Sequence, residues 1–262
     1  MIDPRFRSLH SRIGIPLLSC LLMVSACSKE PGEISVEVPP LFPNSIVSTE
    51  IDFIRSTDPD AFVELVYIGR EDKEMPDKRS DDLFDINTFV FEASFTNGKK
   101  VEIWAHSDFG SIMAAQEYAE KLCGRLGKLP EFMRDVLKHV VIHKGDEGAF
   151  AEKDAQFFVL YSDNMDLRIS NNDLEETVFH ETVHVALDLP YATSESWLKA
   201  QNKDRSFITE YAQDYPMRED LAETAIFVYT LQRYPSRLSV EIEEWMATNI
   251  PHRLAFLRTV FE

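Results

Sequence analysis

The chain has 262 residues, with 27 basic and 45 acidic side chains and a formal charge of −18 at pH 7. Such an acid surplus argues against nucleic acid and against anionic lipid headgroups as partners, because both would repel it. With 44% hydrophobic residues and three cysteines, the chain can bury one enzyme-sized core but has little means of stapling it with disulfides.

Taken in chain order, Arg5, Arg7, His10 and Arg12 precede an apolar run from Ile13 to Met23, and Val24-Ser25-Ala26-Cys27 follows with small residues. This arrangement resembles a bacterial lipoprotein signal. The resemblance implies removal of residues 1–26, lipidation of Cys27 and, with Ser28 next, sorting to the outer membrane of a bacterial cell envelope. The apolar run is short and interrupted by Pro16, so it is a poor membrane span. Residues 27–49, with Pro31, Pro39, Pro40 and Pro43, read as a lipid-anchored flexible tether, and residues 50–262 as a single domain. Losing residues 1–26 removes three arginines, one aspartate and Cys20, so the remaining chain is more acidic still. Cys123 is then the one thiol of the body, expected as a buried helix residue rather than a nucleophile.

Phe62–Ile68, Thr88–Phe95 and Lys100–Trp104 have strand character, with Asn97-Gly98 as a hairpin turn between the last two. Glu71–Asp85 reads as a charge-rich loop around Pro76. Ile112–Leu126 has helical periodicity, and Val136–Ile142 and Gln156–Tyr161 read as further strands. His106, His139 and His143 fall in or near strands and are expected as surface or core residues, not ligands. Strands first and a helix-rich half after them predict an α+β fold, an N-terminal mixed sheet followed by helices.

The second half carries the chemistry. His180-Glu181-Thr182-Val183-His184 is an H-E-x-x-H motif within a run of helical character. Four residues apart on a helix, the two imidazoles lie about 40° apart around the axis and can reach one point. A zinc ion there would have Glu181 beside it as a general base. Asn172 and Asp173 precede the run as N-cap candidates, with Glu176 spaced as in a capping box. Val178, Phe179, Val183, Val185, Ala186 and Leu187 surround the motif, so the helix should be buried, where two histidines and a glutamate are costly without a metal.

A third ligand is required. Leu187 and Pro190 stand where the longer form of the motif needs Gly and His. Downstream, Pro216 suits the first turn of a helix, and Glu219, Ala222, Glu223, Ile226, Phe227 and Thr230 share one of its stripes. Glu219 as metal ligand with Glu223 behind it, bonded to an imidazole such as that of His180, fits this pattern; the exchanged assignment stays open.

H-E-x-x-H followed 35 residues later by E-x-x-A-E resembles the gluzincin metallopeptidases. Together with Phe207-Ile208-Thr209-Glu210-Tyr211-Ala212 it is similar to the catalytic domain of anthrax lethal factor and its small bacterial relatives. The resemblance spans roughly residues 170–230. It implies a zincin-like fold, Zn²⁺ held by His180, His184 and Glu219, and a tyrosine that stabilises the transition state, Tyr211 or its neighbour Tyr215. It also implies a sheet edge that binds a peptide or protein substrate as an added strand, for which Gln156–Tyr161 and Asp166–Ser170 are the candidates. The expected activity is zinc-dependent peptide hydrolysis in the envelope. The alternative is a non-catalytic envelope lipoprotein whose zinc orders the fold or binds a partner; Glu181, a base that such a site would not need, argues against it.

Overall fold

The computed structural model describes residues 38–81 and 83–262. The expected signal segment and the lipidation site Cys27 lie outside the described residues. Among those residues the fold mixes one sheet with nine α-helices. Its strands are β1 (Phe62–Glu74), β2 (Phe84–Phe95), β3 (Lys100–Ala105), β4 (His139–His143), β5 (Phe150–Glu152) and β6 (Phe157–Tyr161), in the order β1-β2-β3-β4-β6-β5. The first three form an antiparallel meander. Asn97-Gly98 closes its second hairpin as expected, with Gly98 at φ 82° and the Phe95 and Lys99 backbones bonded across the turn. β3, β4 and β6 are parallel, and the β3–β4 crossover passes through α1 (Ile112–Gly127) and α2 (Glu131–Val136), as parallel pairing requires. β5 returns antiparallel on β6 and ends the sheet.

One face of the sheet, with Phe89, Phe91, Ile103, Ile142, Phe158 and Leu160, forms the main core against the helices. Seven helices follow the sheet: α3 (Ser162–Ser170), α4 (Leu174–Leu187), α5 (Glu195–Lys203), α6 (Glu210–Asp214), α7 (Asp220–Arg233), α8 (Val240–Asn249) and α9 (Pro251–Val260). α4 buries Leu174, Val178, Phe179, Val183, Val185 and Leu187 almost completely. A helix apolar on every side must lie inside, and each such side chain contributes about 1.5–3 kcal/mol. The motif helix is therefore held on all sides before any metal is considered. Cys123 lies buried in α1, its thiol pushed up to about 12 by burial, an inert position.

Several expectations change. β1 runs through Glu74, so the charge-rich loop shrinks to residues 75–83; charges on β1 suit an edge strand, where they discourage pairing with another chain. Val136 ends α2, and β4 starts only at His139. Asp166–Ser170 is not a strand but part of α3: Met165, Leu167 and Ile169 alternate in sequence, yet only Met165 is fully buried while Leu167 is exposed. Phe157–Tyr161 is a strand, but it is paired on both sides; the edge is β5. Asp173 makes no capping bond to α4, because its carboxylate accepts from Arg168, and Glu176 accepts instead from the Phe53 amide. Pro216 lies in the turn before α7, whose N-cap is Glu219. Finally, residues 38–49, expected within the tether, are folded onto the domain: Ile46 is fully buried and Phe42 bridges Thr209.

Candidate metal centre

α4 carries His180 and His184 one turn apart, their rings edge to face at 4.7 Å. Their Nε2 atoms lie 3.1 Å from each other, and Glu219 Oε2 lies 3.2 Å from that of His184 and 3.3 Å from that of His180. The three atoms thus form a nearly equilateral triangle. Tetrahedral zinc with bonds of about 2.0–2.1 Å separates its ligands by about 3.3 Å. The triangle has that size, so His180, His184 and Glu219 could hold a metal ion. Two imidazoles and one carboxylate are a donor set that suits zinc.

Glu219 stands at the N-cap of α7, where a turn from Tyr215 leads into the helix. Its amide donates to the Tyr215 carbonyl at 2.8 Å, and its own carbonyl receives the Glu223 amide at 2.8 Å. Burial raises the Glu219 carboxyl, but bonds from His180 and His184 outweigh it and hold the group well below the usual carboxylate range. Glu219 is therefore an anion ready to bind a cation.

Both imidazoles have a carboxylate at their other nitrogen. Glu223 Oε1 lies 3.3 Å from His180 Nδ1, on the side where the sequence placed it. His184 Nδ1 bonds Asp188 Oδ2 at 3.0 Å. The Asp188 bond keeps a proton on His184 Nδ1 and turns its Nε2 lone pair toward the triangle, whereas His180 Nδ1 has Glu223 at ion-pair distance without a hydrogen bond. The sequence analysis does not single out Asp188, although its place four residues after His184, at the C-cap of α4, is a usable signal. Burial lowers His184, but Asp188 and Glu219 carry it up to about 10. A proton and a metal ion thus compete for this ring.

Glu181 is buried beside the triangle, its carboxyl raised by burial and pulled back in part by His180 and His184. It lines a cleft of about 370 Å³ together with the three candidate ligands, Asp188, Tyr211, Lys78 and the strip from Ala149 to Asp154 that contains β5. Tyr211 points into this cleft within hydrogen-bonding reach of Glu219, and burial pushes its phenol up to about 12. Tyr215 does not line the cleft and is 47% exposed, which separates the two tyrosines. β5, three residues long, is the sheet edge beside the site, in place of the expected Gln156–Tyr161, which holds its partner β6, and Asp166–Ser170, which is helical. The Lys78 ammonium pins the approach to it, donating to the Gly148 and Ala149 carbonyls at 3.0 Å each. His106, His139 and His143 stay away from the triangle: His139 stacks between Trp104 and Phe157, and His143 bonds the Pro76 carbonyl.

Comparison with protein-family models, with curated proteins and with solved structures found no match to this chain.

Proposed function

We propose that the protein is a gluzincin-type, zinc-dependent peptidase, anchored to the bacterial cell envelope through lipid on Cys27. The observation that carries this reading is the ligand triangle with Glu181 buried next to it in an open cleft. A site that only stabilised the fold would close with a fourth protein ligand, and three leave a position free. Zinc held by His180, His184 and Glu219 would supply Lewis acidity, polarising a carbonyl and making water more acidic.

The chain's own residues account for the rest. Glu181 takes a proton from the water as its oxygen attacks the peptide carbonyl, and delivers it to the departing amine as the C–N bond breaks. Burial raises the basicity of this carboxylate, which suits it to the first transfer. Tyr211 keeps its phenolic proton at neutral pH and donates a hydrogen bond to the developing oxyanion. β5 offers a free strand edge along the cleft, on which an extended peptide can pair.

The test has two arms. Elemental mass spectrometry on the purified protein should find about one zinc per chain, lost in Glu219→Ala and only weakened in Glu223→Ala. A broad peptide library should be cleaved by the zinc-loaded protein, with Glu181→Gln keeping its zinc but losing about 10²–10⁴-fold in rate. Protein that takes up no zinc when it is offered would end this reading, and near-normal turnover by Glu181→Gln would end its mechanism.

A further inference from the structure

The stretch just ahead of the sheet has a proline-rich, linker-like composition, yet it reaches the centre of the molecule. Val38 and Phe42 donate backbone bonds to the carbonyls of Arg205 and Ile208, at 3.2 and 3.1 Å. The Phe42 carbonyl receives the Glu210 amide at 3.0 Å, and the Asn44 carbonyl receives the Tyr211 amide at 2.8 Å. Phe42 stacks on Phe227 of α7 with ring centroids 5.6 Å apart. Asn44, at φ 59°, takes the left-handed turn that asparagine tolerates, and the next two residues meet Glu223.

Glu223 is completely buried, and its carboxylate is held by three donors. Ser45 Oγ donates to Oε1 at 2.9 Å; the Ile46 amide and Thr209 Oγ1 donate to Oε2 at 3.0 and 2.7 Å. Oε2 is thus satisfied by two donors, whereas Oε1 faces Ser45 on one side and His180 Nδ1 on the other, at 3.3 Å. The three donors together set the rotation of the carboxylate about its last bond, and Ser45 is the one on Oε1, the oxygen that stands at ion-pair distance from the imidazole. Nothing on α4 or α7 does this; the donor arrives from 178 residues earlier in the chain.

We propose that residues 38–46 are an arm of the metal centre, in which Ser45 is a positioning residue that aims Glu223 at His180. The inference rests on the zinc reading given above. It assigns to a linker-like segment a direct hold on the site: lifting it would release Ser45 and Ile46 from Glu223, and Asn44 from Tyr211, together.

The experiment is a zinc competition titration of the full chain against a chromogenic chelator, comparing wild type, Ser45→Ala, Ser45→Thr and Thr49→Ala. Ser45→Ala should bind zinc about tenfold more weakly, and Ser45→Thr, which keeps the hydroxyl, should restore most of the loss. Thr49 follows the arm directly and bonds the Ile46 carbonyl and not Glu223, so Thr49→Ala should keep wild-type affinity whatever it does to melting. Wild-type affinity in Ser45→Ala, or an equal loss in Thr49→Ala, would overturn the positioning role and leave the zinc reading intact. Wild type that binds no zinc would overturn both.

Discussion

Asp188 offers a graded test of how the second histidine is held. Its Oδ2 bonds His184 Nδ1 at 3.0 Å, while its Oδ1 is buried with no partner. In Asp188→Asn, the amide oxygen can replace Oδ2 and keep the ring oriented, with the NH₂ group turned to the unpartnered side. What is lost is the charge. A hydrogen bond to an ionised group contributes about 1.5–3 kcal/mol against about 1 for a neutral one, so the substitution should cost about 1.4 kcal/mol, or tenfold in zinc affinity. Asp188→Ala removes the acceptor altogether, frees the imidazole to turn and to change tautomer, and should cost nearer 100-fold. The side chain is only 10% exposed, so solvent screening should not erase the difference. Competition against a chelator at fixed neutral pH measures both variants. Equal affinities in all three proteins, or a greater loss in Asn than in Ala, would refute the argument.

Two further outcomes follow from the same geometry. Tyr211→Phe should lower kcat by about 10²–10³-fold with KM little changed, while Tyr215→Phe stays near wild type; steady-state kinetics on one cleaved peptide decides, and the reverse ranking would move the oxyanion donor to Tyr215. Glu176, buried in α4 with Oε2 unpartnered, has its carboxyl raised by burial to about 8. Its folded-state pKa exceeds the unfolded value, so the native state holds the extra proton and stability falls as pH rises from about 4.5 to about 8. Glu176→Gln should therefore melt close to wild type near the bottom of that window and above it near the top; parallel melting curves across the window would contradict the assignment.

What could be read from the sequence was local. His180 and His184 share a helix face through a spacing fixed by backbone geometry, and Glu219 and Glu223 repeat that spacing at the start of α7, so four site residues are visible as two short patterns. The missing parts depend on pairing between distant segments. β5 is only Phe-Ala-Glu, too short for alternation to register, and becomes an edge strand because β6 takes it up. Residues 38–46 have a tether's composition and become structure through bonds to α6 and α7. Asp166–Ser170 shows the opposite error, since an apolar residue at every second position mimics a strand where α3 needs only Met165 in the core.

The charge of the site gives a reason why it could hold a cation. Glu181, Asp188, Glu219 and Glu223 are each less than 10% exposed, and they face two imidazoles within one helix pair. Four buried carboxylates against two groups that are neutral or singly charged leave an uncompensated negative cluster, which ordinary folding would discharge by protonation or avoid. Part of the load is met locally: Ser45, Ile46 and Thr209 solvate Glu223. Their dipoles satisfy hydrogen bonds but bring no positive charge. The basic side chains at the cleft, Lys78, Lys153 and Arg218, are exposed, and Arg218 comes no nearer than 3.5 Å to Glu219. A cation held by the His180–His184–Glu219 triangle would bring the positive charge that these groups lack, next to Glu219 and across the imidazoles from Asp188 and Glu223. Such a cation would offset the cost of the cluster, and Glu181, which is no member of the triangle, would stay beside it as a carboxylate without a metal bond.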